Sequence, residues 1–329
     1  MTPAPPLLRP SPATIPPEPL VGTLIHRSSI VSAGRDDRAL RRAAERGELV
    51  RVAPGTYVAA TAWSRASPEQ RHAVVVRATV ARSSADLVVS HRSALAVHGF
   101  PLLAPMPSRT HVIHRARRTT QTTSLVVRHG APLADEEVGS VDGLRVVRPL
   151  RAATDTARLD DLRSSVVVLD HGLRQGAFDD AALRAAVEGA PRVGRRRALL
   201  ALDLADGSSE SPGESLSRVV MVEIGVPLPQ LQKEFWDRRG FIGRVDFWWP
   251  GLGVVGEFDG ATKYLELARR SGRDLDQVKI DEKKREDRIR ALPEVSGFAR
   301  WDWSTANDPR QLALTLSDAG VMPLAGRRS

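Results

Sequence analysis

Three carboxylates interrupt an otherwise apolar, β-favouring stretch: Asp246, Glu257 and Asp259 in GRVDFWWPGLGVVGEFDG, residues 243–260. A carboxylate buried among apolar side chains is costly unless it is paired or ligates a metal. Pro250-Gly251-Leu252-Gly253 is a turn signal between two apolar runs, so the stretch reads as a β-hairpin. With that loop, Trp249 faces Val254, Trp248 faces Val255 and Asp246 faces Glu257, while Asp259 shares the face of Glu257. Opposed like charges destabilise a sheet. A hard divalent cation, Mg²⁺ (or Mn²⁺), would compensate them, which makes Asp246, Glu257 and Asp259 candidate metal ligands. Two plainer readings stand beside this one. Asp246 can be a capped strand end and Asp259-Gly260 an ordinary turn, and a one-residue slip would separate Asp246 from Glu257 but leave the Glu257/Asp259 pair.

Basic side chains are distributed unevenly. The chain of 329 residues carries a net +9, but residues 206–329 hold 19 Lys and Arg against 20 Asp and Glu, leaving 29 against 19 for residues 1–205. An excess of this sign favours a polyanionic partner, and it lies wholly N-terminal. All five lysines fall in the last third. The absence of cysteine excludes disulfides and thiolate metal sites and fits a cytoplasmic protein. No apolar run reaches 18 residues and no secretory pattern opens the chain, so neither a membrane span nor a membrane partner is expected. There is no P-loop, GxGxxG or Ser-His-Asp arrangement.

Residues 1–20 are Pro-rich and aperiodic, as in a disordered leader. From 21 to 63, LVGTLIHR and SSIVSAG read as short helices, with Ser28 or Ser29 a plausible cap for the second. RALRRAAERG, capped by Asp36 or Asp37, reads as a third helix, and ELVRVAPGTYVAA as a hairpin around Pro54-Gly55. Three helices and a hairpin make a winged helix-turn-helix, whose third helix enters a major groove. Arg38, Arg41, Arg42 and Arg46 lie on that helix's exposed face and Arg51 on the wing. They are candidate DNA contacts, or alternatively a solvated face paired with Glu45 and Glu48.

Residues 66–205 are mixed α/β: helix SPEQRHAVVVRATVAR, strand DLVVS, helix HRSALAVHG, strands THVIHRA and TSLVVRHG, then further helices. His111 and His114 point to opposite faces of a strand, and His91 and His98 share a helix face without an evident third ligand, so the histidines read as structural. DGSSESPG, residues 206–213, marks the last boundary. Beyond it the order is α-β-β-β-α-β, opened by a helix that Ser211 or Ser209 can cap and Pro212 can start. Trp248 and Trp249 take opposite faces of one strand, at least one of them core and the other open to base stacking; Trp301 and Trp303 share a face as core.

SPGES, GRVDFWWP, VVGEFDG and EKKRED, in that order across about residues 208–305, resemble the very-short-patch-repair-like branch of the PD-(D/E)xK endonuclease superfamily. Residues 21–62, with SHRSALAVHG beyond them, resemble AbiEi-type antitoxins. The first resemblance implies a restriction-endonuclease-like domain over residues 206–329. Glu214, Asp246 and Glu257 would be catalytic acids there, holding Mg²⁺ that activates water for phosphodiester hydrolysis. It also exposes a departure, because Asp259 stands where the superfamily places lysine. Lys263, Lys283 or Lys284 could supply the cation, Asp259 could be a further ligand, or the site could be dead. Glu214 in a helix's first turn is equally explained by the helix dipole. Lys283 and Lys284 in KKREDRIR could bind a phosphate backbone or belong to an exposed helix of i,i+4 pairs.

The expectation is therefore a multidomain α/β (α+β) protein: winged helix, AbiEi-like middle domain, endonuclease-like C-terminal domain. Its partner is nucleic acid, with double-stranded DNA, including toxin-operon DNA, foremost. It is either a Mg²⁺-dependent endonuclease or an antitoxin-type regulator whose nuclease-like domain is inactive.

Overall fold

Turn chemistry sets up the first sheet. Gly55, at φ +71, closes the hairpin between β2 (Leu49–Ala53) and β3 (Thr56–Ala59), a conformation glycine adopts without steric cost. In the computed structural model, which describes residues 24–32, 38–83, 87–116, 119–260 and 275–324, a third strand joins this hairpin. It is β1 (Ile25–His26), paired antiparallel to β3 through Ile25↔Tyr57 and His26↔Thr56. Within the expected first helix over LVGTLIHR, Ile25 and His26 form a strand and Arg27 opens the next helix, because β3 offers an open edge that a two-residue extended segment can satisfy. Helices α1 (Arg27–Ser32) and α2 (Arg38–Glu45) follow β1, so the plan is strand, two helices and a wing, with sheet order β1-β3-β2. The leader, Asp36, Asp37 and Lys263 lie outside the described residues.

The described residues fall into two compact units. The first comprises the described residues from 24 to 100 and from 106 to 148. After α3 (Ala60–Arg65) it continues with α4 (Pro68–Val80), which opens on a full capping box: Ser67 Oγ accepts from Gln70 N, and Gln70 Oε1 accepts from Ser67 N. Strand β4 (Leu87–Val89) and helix α5 (His91–Val97) lead to β5 (Thr110–His114), β6 (Gln121–Thr122), β7 (Val126–His129), β8 (Val138–Val141) and β9 (Leu144–Val147). These strands form a mixed six-stranded sheet in the order β6-β7-β5-β4-β9-β8.

The second unit joins residues 149–204 to the C-terminal sheet rather than to the middle segment. Its helices α6 (Pro149–Leu159), α7 (Leu162–Arg174), α8 (Asp180–Gly189) and α9 (Arg195–Leu204) precede α10 (Pro212–Glu223). A buried ion pair ties α10 to α7: Arg218 Nη1 donates to Asp170 Oδ2 at 2.9 Å, and Arg218 Nη2 to Leu204 O at 2.7 Å. Both charges find partners, the condition under which burying them is tolerable.

Strands β10 (Gln230–Asp237), β11 (Gly240–Trp249), β12 (Val254–Phe258) and β13 (Gly297–Trp301) form the sheet in that order, β12 and β13 parallel and the other pairs antiparallel. Between β12 and β13 runs α11 (Leu275–Arg290); α12 (Trp303–Asn307) and α13 (Pro309–Asp318) close the unit. The α-β-β-β-α-β order is as read from the sequence. So is the hairpin register, Trp249↔Val254 and Trp248↔Val255. Phe247 and Trp249 pack with α10 and α13 on one face, Trp248 and Val255 with Ile289 of α11 on the other. At 5% and 3% exposure, Trp248 and Trp249 are both core, which leaves neither surface for base stacking. Trp301 is core too, but Trp303 is 39% exposed because the strand ends before it and α12 begins on it.

Candidate functional site

The acidic residues sit where α10 meets the β11–β12 hairpin. Ser211 caps α10, accepting from Glu214 N, and Pro212 starts it. The following Gly213 lies under the Phe258 ring, where a Cβ would come within 2.1 Å of ring carbons. This close approach carries Glu214 into the interior. Its carboxylate accepts from Glu210 N (2.9 Å), Ser211 Oγ (2.7 Å) and Gln232 Nε2 (2.9 Å). Gln232 reaches it from a left-handed kink in β10, φ +54. Burial, followed by the charge of Asp246, pushes the Glu214 carboxyl up to about 7. Asp246 in turn accepts from Phe258 N through Oδ2 at 2.8 Å, bridging β11 to β12.

Glu257 has a different environment. It is 2% exposed and meets two guanidinium groups: Arg285 Nη2 donates to Oε1, and Arg300 Nη2 to Oε2 at 2.6 Å. Gly243 clears the way for the first, since a Cβ there would stand 2.8 Å from Arg285 Cδ. Arg285 also pairs with Glu282 (2.6 Å), while Arg300 pairs with Asp259 (3.5 Å) and Glu286 (3.2 Å). Burial works against the Arg300 charge, but Glu257 and Asp259 outweigh it and raise its pKa.

The expected site residues thus divide. Glu214 and Asp246 share one electrostatic environment, and Glu257 and Asp259 are engaged by arginines. The metal-capable trio that the described residues assemble is His91, His111 and His129, not the carboxylates. Lys283 and Lys284 are exposed on α11, and the side chain that reaches in from that helix is Arg285. In KKREDRIR, Arg285 pairs with Glu282 and Arg290 with Glu286 along the helix, but Arg288 binds Asp237 of β10 at 2.7 Å and Ile289 is fully buried, so one face of the helix packs on the sheet. Arg285 and Arg300 escaped the sequence reading because both carboxylate partners and cations looked local there. The available signal was an arginine in β13, directly beside the acidic strand.

The basic residues form a second candidate site, in the first unit. Leu40 anchors α2, and Arg38, Arg41 and Arg42 are exposed around it. Arg38, Arg41 and Arg51 line a groove of about 1180 Å³ together with Arg27, Arg82 and Tyr57. Arg82 donates to Pro54 O, holding the wing turn to the end of α4. Arg42 is not among the lining residues. Nor is Arg46, whose Nε and Nη2 bind Glu48 at 2.7 and 2.9 Å, as in the solvated-face reading. Arg27 and Arg82 were not anticipated: Arg27 enters the groove from the neighbouring α1, and Arg82, beyond α4, is brought there only by folding. Such a groove can receive a phosphate backbone, since Arg offers paired donors to phosphate oxygens.

Residues 24–60, the strand-helix-helix-wing segment, match the family model described as "Transcriptional regulator, AbiEi antitoxin". Two uncharacterized proteins of Mycobacterium tuberculosis, Rv2248 (strain H37Rv) and MT2308 (strain CDC 1551), are each 33% identical over 154 residues. The match covers 45% of this chain and 54% of theirs, so the chain spans about half the length of the curated relatives it matches. The crystal structure of the RV2827C protein from the same organism superposes with a TM-score of 0.35 at 18% identity, over 65% of this chain and 83% of that one.

Proposed function

We propose that the protein is a DNA-binding transcriptional regulator of the antitoxin kind, with α2 and the wing engaging double-stranded DNA such as a toxin-operon promoter. One observation carries this reading: within or beside the segment that matches a regulator family, Arg27, Arg38, Arg41, Arg51 and Arg82 converge on one groove. Phosphate neutralisation by such a set gives affinity that falls steeply with salt. The test is fluorescence anisotropy of the full chain on DNA from its own upstream region. Arg38→Ala/Arg41→Ala should abolish binding, and retention of full affinity by that variant would overturn the proposal.

Hydrolysis by the C-terminal unit is the second reading, favoured by one observation: burial first, and the charge of Asp246 second, push the Glu214 carboxyl up to about 7. A divalent cation would relieve that repulsion and, bound to phosphate, would polarise it. The rest of the donor set does not fit such an ion. Glu257 already accepts from two guanidinium groups and Asp259 pairs with one of them, so a cation would compete with Arg285 and Arg300 for those oxygens. The inactive form of the nuclease-like domain is therefore the one we propose. Incubation of supercoiled DNA with the chain and Mg²⁺ or Mn²⁺ tests it, with no nicking expected. Nicking that is lost in Asp246→Ala would restore the enzyme.

A further inference from the structure

His91, His111 and His129 come from three different elements of the first unit. His91 is the first residue of α5, directly after β4 and its link Ser90; His111 lies in β5 and His129 ends β7. The parallel register sets His111 against Val127, so His129, two residues on, projects from the same face of the sheet. Their candidate ligand atoms all lie within 4.8 Å of one another, and His111 Nδ1 is 3.1 Å from His129 Nε2. The His91 and His129 rings stack with centroids 3.9 Å apart.

We propose that these three imidazoles form a transition-metal site that takes Zn²⁺, with an exogenous fourth ligand. Tetrahedral Zn–N bonds of about 2.0–2.1 Å place neighbouring ligand nitrogens roughly 3.3–3.4 Å apart, near the spacing His111 and His129 already have. Binding requires both of those nitrogens to present lone pairs. The ring that carries the proton of their hydrogen bond therefore moves to its other tautomer, and the stacked His91 and His129 tilt toward a common point.

Two further observations support the site. His91 has φ +52, a left-handed conformation that non-glycine residues rarely adopt. Strain of this kind persists where surrounding structure enforces it, and here it places the imidazole in the cluster. Ser90, wholly buried, sets the His91 ring through Oγ, 2.9 Å from Nδ1. Arg92 and Arg109 raise the cost of a dication at this place, and the same charges favour an anion as fourth ligand.

Neither helix nor strand periodicity could show the cluster. His91 shares a helix with His98, but His98 turns away to Val147 O at 2.8 Å, and His114 takes the other face of β5.

The test is metal content of the full chain after stripping with a chelator, loading with Zn²⁺ and desalting, read by mass spectrometry and by competition with a chromophoric chelator. One retained equivalent is expected, with affinity at least about tenfold weaker in His111→Gln or His129→Gln and unchanged in His114→Gln. The wild-type chain loaded with Co²⁺ should show the intense visible bands of four-coordinate cobalt, a readout that needs no variant to fold. Failure to retain metal, six-coordinate Co²⁺ spectra, or Zn²⁺ affinity unaltered in a folded His111→Gln would each overturn the proposal.

Discussion

Glu257 and Arg300 stand directly opposite each other on the parallel strands β12 and β13, and Arg300 Nη2 donates to Glu257 Oε2 at 2.6 Å. The cation that a row of acidic strand residues demands is therefore supplied by the neighbouring strand, with Arg285 of α11 completing the pair on the other oxygen. Removing one member of a buried ion pair leaves its partner desolvated and uncompensated, at about 3–5 kcal/mol. Arg300→Ala should lower unfolding free energy by that order in urea titrations. A loss under 1 kcal/mol would mean that Arg285 alone satisfies Glu257.

Gly243 gives a backbone route to the same clamp. A valine there would drive its Cβ into Arg285, and overpacking of this kind costs roughly 1–3 kcal/mol. Gly243→Val should destabilise the wild-type chain but cost much less in an Arg285→Ala background, a coupling that a double-mutant cycle measures. Additive losses would place the cost in β11 itself.

Glu214 makes stability depend on pH. Its carboxyl rises from 4.5 to about 7 on folding, so the folded state binds the proton more tightly than the unfolded one. The contribution is fully present below 4.5 and is lost as pH rises through about 7, by up to about 3 kcal/mol. Asp170, raised to about 6 by burial, acts in the same direction. His72, His111 and His171, pushed down to about 4 by burial, act oppositely, losing stability as pH falls below 6.5. Comparing Glu214→Gln with wild type across pH 4.5 to 7 isolates the one group: the variant should be relatively more stable at pH 7 than at pH 5.

DNA affinity should sort the arginines by position. Each phosphate-contacting arginine removed lowers the log–log salt slope by about 1. Arg41→Ala and Arg51→Ala, on the groove, should show that change together with weaker binding, whereas Arg46→Ala, already paired with Glu48, should leave the slope where it was. Equal effects at all three positions would point to a diffuse basic surface rather than a groove.

Much of this architecture is written locally. Ser67 and Gln70, Ser211 and Pro212 mark helix starts through their own hydrogen-bonding chemistry. Pro250 to Gly253 and the alternating tryptophans fix a hairpin register that the structure reproduces, because a side-chain period of two leaves one face for each residue. The sequence alone also placed Arg38, Arg41, Arg42 and Arg46 on an exposed helix face and Arg51 on the wing, and all five are exposed. Where it missed, at β1 and at Trp303, the deciding factor was a neighbour: an open strand edge in one case, the end of a strand and start of a helix in the other.

What folding alone decided is who meets whom. Arg285 and Arg300, 28 and 43 positions beyond Glu257, become its counter-ions, Arg82 joins a helix it never approaches in sequence, and three histidines on separate elements close into a cluster. Periodicity assigns a side chain to a face of its own helix or strand. It carries no information about which distant element packs over that face, and the charge balance of a buried group is set entirely by that second fact.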